Sequence, residues 1–101
     1  MTEQTELTGP LVKMLRQMGI VTLRLNSGKL RVRGAWMTLC PIGTADIVCF
    51  QRNRVIWLEC KTLQGKLRDS QKQFRESVTA LGHEFYEIRS IDEGLEAVRQ
   101  A

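Results

Sequence analysis

Three features are missing from this sequence, and each absence argues against a class of protein. No apolar run approaches the ~20 residues of a membrane-spanning helix. The 3 cysteines include no CxxC pair, and His83 is the only histidine, so the usual ligand spacing of a zinc site is missing. The opening residues, MTEQTELTGP, are polar and acidic, and we expect neither a secretory signal nor a transit peptide. These absences predict reduced cysteines in a cytoplasmic protein with no membrane partner.

Acidic residues are also missing from one long stretch of the chain. The segment from Arg24 to Gly34 is basic and contains no acid, and the segment 61–68 is basic as well. The net charge is +4, and the 43% hydrophobic and 26% charged fractions over 101 residues are ordinary for a single globular domain spanning residues 1–101. This charge distribution favours a polyanionic partner without identifying one.

Apolar spacing predicts a helix near the start of the chain. Apolar residues recur at helical intervals from about 11 to 18. Pro10 fits the first turn of this helix, with Thr8 or Gly9 as its cap. Alternatively, the helix starts near Thr2 and contains Pro10 within its first turns. The choice between these two starts decides whether Glu6 belongs to the helix.

The middle of the chain has the pattern of strands. Residues 20–25 predict a strand, and residues 29–39 alternate weakly, which predicts a second strand bent at Gly34. The apolar runs 45–50 and 54–61 are separated by a short polar link and predict a hairpin. Both runs are apolar on two faces, which suits a sheet covered on each side.

The last third of the chain predicts a helix, a strand and a helix. Asp69 or Ser70 is expected to cap the first of these helices, which ends at Gly82. A strand at 84–89 and a final helix at about 91–100 follow. A strand–helix–strand crossover joins parallel strands, so the chain is predicted to be an α/β sandwich with a central mixed sheet flanked by helices.

The hairpin brings two carboxylates together. If Arg52 and Asn53 form its turn, Asp46 lies opposite Glu59, with Cβ atoms ~5 Å apart on one face of the sheet. Lys61 shares that face because strand side chains alternate. Two carboxylates about 4 Å apart repel by ~4 kcal/mol at an effective dielectric of 20, and a divalent cation would convert this repulsion to attraction.

A cation at this position could polarise a phosphodiester and generate a hydroxide nucleophile. Lys61 could then orient or deprotonate the water, or stabilise charge at phosphorus. The alternative is structural. A Glu-x-Lys pair on a strand is commonly a surface ion pair that contributes less than ~1 kcal/mol.

These motifs, in order, resemble the core of the PD-(D/E)XK nuclease superfamily. The segment GTADIVCF is followed by VIWLECKTLQGKLRDSQKQF, and LGHEFYEIRSIDEGLEAV resembles the closing strand and helix. Within the superfamily, the chain is most similar to the small stand-alone VRR-NUC (virus-type replication-repair nuclease) domains of phages and bacteria. The matching positions are Glu6, Asn26–Gly28, Gly43–Asp46, Glu59–Lys61, Gly65–Leu67 and Gln71.

The resemblance implies a restriction-endonuclease-like fold and a Mg²⁺-dependent or Mn²⁺-dependent endodeoxyribonuclease. It implies that Asp46 and Glu59, with the backbone carbonyl of Cys60, bind the metal and that Lys61 is the catalytic lysine. It also implies that Gln71, at the start of a helix, orients the site and that Glu6, in the first helix, completes it.

The resemblance also implies a substrate and partners. Structured or branched DNA, such as a Holliday junction, is the expected substrate. A homodimer in the cytoplasm of a bacterial cell, or of the host if the protein is phage-encoded, is the expected assembly. The side chains expected to contact DNA are Asn26, Ser27, Lys29, Arg31, Arg33, Lys66 and Arg68.

Two other functions stay open at this point. One is a non-catalytic nucleic-acid-binding module on the same fold, which would bind phosphates with strong salt dependence. The other is a structural subunit whose charged hairpin end is only an ion-pair network. Trp36 and Trp57 are expected in the core rather than as base-stacking groups.

Overall fold

The computed structural model describes residues 7–99, which form a mixed α/β fold. The elements are α1 (Gly9–Gln17), β1 (Val21–Arg24), β2 (Lys29–Val32), β3 (Ala35–Thr38), β4 (Ile47–Gln51), β5 (Arg54–Cys60), α2 (Asp69–Ala80), β6 (Glu84–Ile88) and α3 (Ile91–Arg99). Four strands make a central mixed sheet in the order β1-β4-β5-β6, while β2 and β3 form a separate two-stranded sheet. The β5–β6 pair is parallel, and the other strand pairs of the described residues are antiparallel. The predicted α/β class with a central mixed sheet is confirmed.

The two faces of the central sheet are packed against different elements. α1 and α3 pack together, and their apolar side chains join those of β4, β5 and β6 in one buried core. On the other face, the ring of Phe74 in α2 lies edge-on to Trp57, with centroids 4.9 Å apart. Since strand side chains alternate, Leu58 and Cys60 point into the core, whereas Trp57 and Glu59 lie on the face of α2.

The start of α1 agrees in part with the first of the two predictions. Pro10 lies in the first turn, as predicted. Thr8 is the N-cap residue, as that prediction allowed, but its φ of −61° and ψ of −51° are helical and it makes no side-chain capping bond. Leu7 and Thr8 already form part of a wider helical turn. The predicted start near Thr2, and Glu6 with it, lie outside the described residues.

The segment predicted as one bent strand is instead a hairpin. β2 and β3 pair with Arg31 opposite Trp36, and Arg33 and Gly34 form the turn between them. Both turn residues have positive φ, 51° and 80°, which is typical of a type I′ hairpin turn. The prediction of a single strand was wrong because Gly34 was interpreted as a bend rather than as half of a turn.

The two tryptophans have different environments. Trp57 is half-buried against Phe74, in keeping with the expectation that it belongs to the core. Trp36 is 65% exposed, so its placement in the core was wrong. The physical reason is that the β2–β3 hairpin is separate from the central sheet, and no helix among the described residues covers it.

The β4–β5 hairpin has the predicted register. Gln51 pairs with Arg54, and the ladder continues to Ile47 opposite Leu58. Arg52 and Asn53 form the two-residue turn, and Asn53 has a positive φ of 61°. The predicted parallel pairing after the crossover is also confirmed. Because register is fixed by the turn, the sequence was sufficient to align the ends of these strands.

The helix caps differ from the predictions by small amounts. Asp69 is the first residue of α2 and Arg68 is its N-cap, so neither Asp69 nor Ser70 is the cap. Extended backbone at Arg68, with a φ of −77° and a ψ of 165°, starts the helix one residue early. At α3, the hydroxyl of Ser90 accepts a 3.1 Å hydrogen bond from the N–H of Glu93.

Arg54 connects helix α3 to the end of the central sheet at which β5 begins. Its guanidinium donates two 2.7 Å hydrogen bonds to the carboxylate of Glu84 and two 3.0 Å bonds to the carbonyls of Ala97 and Val98. The hydroxyl of Tyr86 donates to the same carboxylate at 2.7 Å. The hydrogen bond from Arg54 lowers the pKa of Glu84, and the bond to that carboxylate raises the pKa of Tyr86.

The cysteines are free thiols in the structure. Cys49 and Cys60 are buried, and Cys40 is half-buried. Burial raises the pKa of Cys49, so this thiol is held in its neutral form. None of the helices within residues 7–99 is long and apolar enough to cross a bilayer.

Candidate functional site

Asp46 is fixed by two neighbouring strands at once. It lies one position before β4, and the pairing of Ile47 with Leu58 places it beside Glu59. Its Oδ2 atom accepts a 2.9 Å hydrogen bond from the backbone N–H of Cys60. Its own carbonyl accepts a 2.8 Å bond from the N–H of Leu25. The carboxylate therefore lies within one peptide of Glu59, at the end of the sheet where the sequence predicted it.

Glu59 and Lys61 form a buried charged pair next to Asp46. Their relative exposures are 3% and 7%. The Nζ atom of Lys61 is 3.9 Å from Oε2 of Glu59, which is within ion-pair range but too long for a hydrogen bond. Removing two charges from water is expensive, and their attraction offsets that cost only in part. Such an arrangement is costly for stability alone, which favours a role in chemistry.

Gln71 connects the start of α2 to Glu59. Its Oε1 atom accepts a 2.8 Å hydrogen bond from the backbone N–H of Arg68, which caps the helix. Its Nε2 atom donates to Oε2 of Glu59 at 3.3 Å. Because the amide oxygen is held by the cap, the amide nitrogen is directed toward the carboxylate. One side chain therefore both starts the helix and orients the acid.

The loop before Asp46 packs against α2, the helix that carries Gln71. Thr44 donates from its backbone and its hydroxyl to the carbonyl of Pro41, at 3.1 and 2.7 Å, which closes the turn. Gly43 has a φ of 98°, and a Cβ at this residue would lie 2.4 Å from the carbonyl oxygen of Ser70. Only glycine fits this close approach, so Gly43 sets the distance between the loop of Asp46 and the helix of Gln71.

The loop after Lys61 is held by a pair that sequence reasoning missed. Arg89 donates a 2.7 Å hydrogen bond to the carbonyl of Gly65 and pairs with Glu87. Glu87 is the register partner of Glu59 on the parallel strand β6. A signal was present, because the Glu-x-Arg at the end of β6 repeats the Glu-x-Lys at the end of β5, and parallel strands bring such ends together.

The side chains predicted to contact DNA are all exposed. Asn26 and Ser27 precede the β2–β3 hairpin, which carries three of the cations, and the other two lie between β5 and α2. Trp36, which was expected in the core, lies exposed on the same hairpin, and the guanidinium carbon of Arg31 is 5.6 Å from the centroid of its ring. The exposed residues are Asn26, Ser27, Lys29, Arg31, Arg33, Lys66 and Arg68.

The donor set at this end of the sheet fits a hard divalent cation. Asp46 and Glu59 supply carboxylates, and Cys60, the residue after Glu59 in β5, supplies a backbone carbonyl. Mg²⁺ is commonly bound by one or two carboxylates and completes its octahedron with waters. Residues 7–99 contain no cluster of three or more His, Cys, Asp or Glu side chains suited to a metal, and Glu6 lies outside that range. Two carboxylates suit Mg²⁺ or Mn²⁺, which keep several of their waters when bound to a protein.

The sequence was also compared with known proteins. No protein-family model matches it, and a search of curated proteins gives no match. Function is therefore inferred from the side chains at this end of the sheet and from the resemblance of its motifs.

Proposed function

We propose that the protein is a metal-dependent DNA endonuclease of the VRR-NUC type, with a restriction-endonuclease-like fold. The observation that carries the proposal is the 2.9 Å hydrogen bond from the N–H of Cys60 to Asp46, which holds this carboxylate beside the buried Glu59 and Lys61. Glu59 and Lys61 lie on the α2 face of the sheet, where the amide of Gln71 contacts Glu59. The ordered motifs of the sequence support the same conclusion.

Each residue of the site has a distinct role in this proposal. Asp46 and Glu59, with the carbonyl of Cys60, hold Mg²⁺ or Mn²⁺, which would supply Lewis-acid activation of water and phosphate. Lys61, the cationic partner of Glu59 at 3.9 Å, would orient the attacking water and stabilise the negative charge that develops at phosphorus. Gln71 keeps Glu59 in place through its amide. Glu6 is an additional proposed member of the site.

The surroundings of the site suit a DNA backbone. The exposed cations lie on two segments that flank the acids in sequence, the β2–β3 hairpin and the β5–α2 connection. Such cations bind phosphates irrespective of sequence. The resemblance favours branched DNA as the substrate and a homodimer as the active assembly, since two copies would supply one site for each strand.

A cleavage assay tests the proposal. The protein is incubated with duplex, single-stranded and four-way-junction DNA in Mg²⁺ or in EDTA, beside Asp46→Asn and Lys61→Ala. We expect Mg²⁺-dependent cleavage that falls at least ~100-fold in both variants, as is typical when a metal ligand or a charge-stabilising group is removed. Glu76→Gln and Lys13→Ala remove an exposed acid and an exposed base away from the site, and both should keep full activity.

Three results would contradict the proposal. Equal DNA binding in Mg²⁺ and in EDTA, with no cleavage of any substrate, would instead support a non-catalytic binding module. Cleavage that survives in Asp46→Asn would place the chemistry elsewhere. A protein that neither binds nor cleaves DNA would leave the charged hairpin end with a structural role.

A further inference from the structure

The β2–β3 hairpin has one cationic and aromatic face. Arg31 pairs with Trp36 and Lys29 with Thr38, so these side chains lie on the same face of the ribbon. Leu30 and its register partner Met37 lie on the opposite face. Trp36 is 65% exposed, although a tryptophan that serves only packing is usually well buried.

Arg31 steadies the ring of Trp36. Its guanidinium carbon lies 5.6 Å from the ring centroid, within the distance of a cation–π contact. The contact holds an exposed aromatic plane beside a positive charge. A planar group attached to a polyanion could stack on the indole of Trp36, and its negative charge could pair with Arg31 on the same face.

A cavity opens next to Trp36 at the base of the hairpin. Its volume is about 490 Å³, within the range of pockets that bind small organic groups, and its walls are almost entirely apolar. Ile42, one of its walls, is 74% exposed. The lining residues that matter here are Lys29, Trp36, Cys40, Pro41 and Ile42.

The hairpin and the acids share one end of the molecule. The N–H of Gly28 donates to the carbonyl of Cys40 at 2.9 Å, and the N–H of Cys40 donates to the carbonyl of Asn26 at 3.0 Å. These bonds fasten the base of the hairpin to the loop that leads directly into Asp46. The cavity is therefore built on the same loop that places the proposed metal ligand.

We infer that Trp36 and this cavity bind an unpaired nucleotide of a DNA strand, with the base stacked on the indole and its phosphates on Lys29 and Arg31. The inference rests on the proposed function. A single-stranded base offers a π-face to any aromatic platform, whereas a paired base keeps its faces inside the duplex. The segment from Arg24 to Gly34 contains no acid that would repel the phosphates. Apolar walls suit the base, and the two cations suit its backbone.

Metal-free binding separates this inference from the nuclease proposal. Affinities for a fluorescein-labelled single strand and for a duplex of the same sequence are measured in EDTA, where cleavage plays no part. Trp36→Ala should weaken single-strand binding about 5- to 100-fold, as expected for loss of one stacked base, and change duplex binding less than about 2-fold. Trp36→Phe should restore most of the affinity. Met37→Ala, an adjacent residue on the opposite face and 49% exposed, should behave like the unaltered protein.

Other outcomes overturn the inference. An equal loss of single-strand and duplex binding in Trp36→Ala, or no loss at all, would exclude a stacked base. If Trp36→Ala instead converts a dimer into a monomer in sedimentation, with no selective loss of single-strand binding, the face contacts a second copy of the chain and the inference is wrong. Binding that passes this test without any cleavage would refute the nuclease alone, and cleavage without selective binding would refute the nucleotide site alone.

Discussion

The backbone N–H of Cys60 donates a 2.9 Å hydrogen bond to the side chain of Asp46, which directly precedes the neighbouring strand β4. The β4–β5 ladder ends at Ile47 opposite Leu58, and the carboxylate of Asp46 extends hydrogen bonding one position further. A side chain therefore satisfies a backbone donor and is itself held in place. The proposed metal ligand is thus part of the sheet's own bonding.

Two substitutions of Asp46 can therefore separate its contribution to stability from its proposed contribution to cleavage. Asp46→Asn keeps an oxygen that can accept from Cys60, so we expect a small change in the free energy of unfolding. Asp46→Ala leaves that N–H unsatisfied and should cost ~1–3 kcal/mol. Urea unfolding measures the difference. Cleavage should be lost in both variants, because neither retains the carboxylate. Equal stability of the two variants would show that the hydrogen bond contributes little.

Gln71→Ala should reduce both cleavage and stability. Loss of the cap at Arg68 should cost about 1 kcal/mol. Loss of the amide contact to Glu59 should lower kcat by roughly 10- to 100-fold, a range typical for residues that orient a metal ligand. Gln73→Ala, which removes an exposed glutamine from the same helix, is the matched control. If Gln71→Ala loses stability but keeps kcat, the side chain is only a cap.

Gly43→Ala tests the contact between the Asp46 loop and α2. A Cβ here would lie 2.4 Å from the carbonyl oxygen of Ser70, and a φ of 98° is strained for alanine. We expect a loss of ~3 kcal/mol or more in unfolding experiments, since clash and backbone strain add. Gly82→Ala has a similar φ of 90°, but its Cβ would meet no described atom within 4 Å. It should cost only ~1 kcal/mol from strain. Equal losses of stability in Gly43→Ala and Gly82→Ala would show that the clash with Ser70 does not contribute.

The acid end of the stability profile should depend on Glu84. The hydrogen bond from Arg54 lowers the pKa of this carboxyl below its ordinary value, ~4.3. A lowered folded-state pKa stabilises the fold above the unfolded-state value, and this stabilisation is lost as the pH falls through the folded-state value. Glu84→Gln should therefore lower Tm at pH 7 and flatten its decline between about pH 5 and 3. Glu96→Gln, an exposed acid of α3, should leave the profile unchanged. A parallel decline in Glu84→Gln would contradict this assignment.

Much of the fold was predictable where local signals and turn geometry agreed. The register of β4 and β5 follows from the two residues of their turn, and this register predicts Asp46 beside Glu59. The parallel pairing of β5 with β6 followed from the crossover. In both cases, a covalent connection restricts the pairing to one arrangement.

The remaining features depend on long-range packing or on weak turn signals. The Arg33–Gly34 turn was missed because arginine rarely adopts positive φ, and the exposure of Trp36 follows from the separation of its hairpin from the main sheet. The approach of Gly43 to Ser70 joins two segments that no sequence pattern connects. The Glu-x-Arg at the end of β6 signalled that Arg89 lies near the end of β5, but its hydrogen bond to Gly65 depends on the path of the loop after Lys61.

Titration with Mn²⁺ by calorimetry, without DNA, tests the central claim most directly. The account predicts heat of binding in the unaltered protein and its loss in both Asp46→Asn and Glu59→Gln, with Glu76→Gln unchanged as the matched acid. Circular dichroism should show that all the variants stay folded. Equal Mn²⁺ binding in the unaltered protein and in both site variants would contradict the claim that these two carboxylates hold a shared cation.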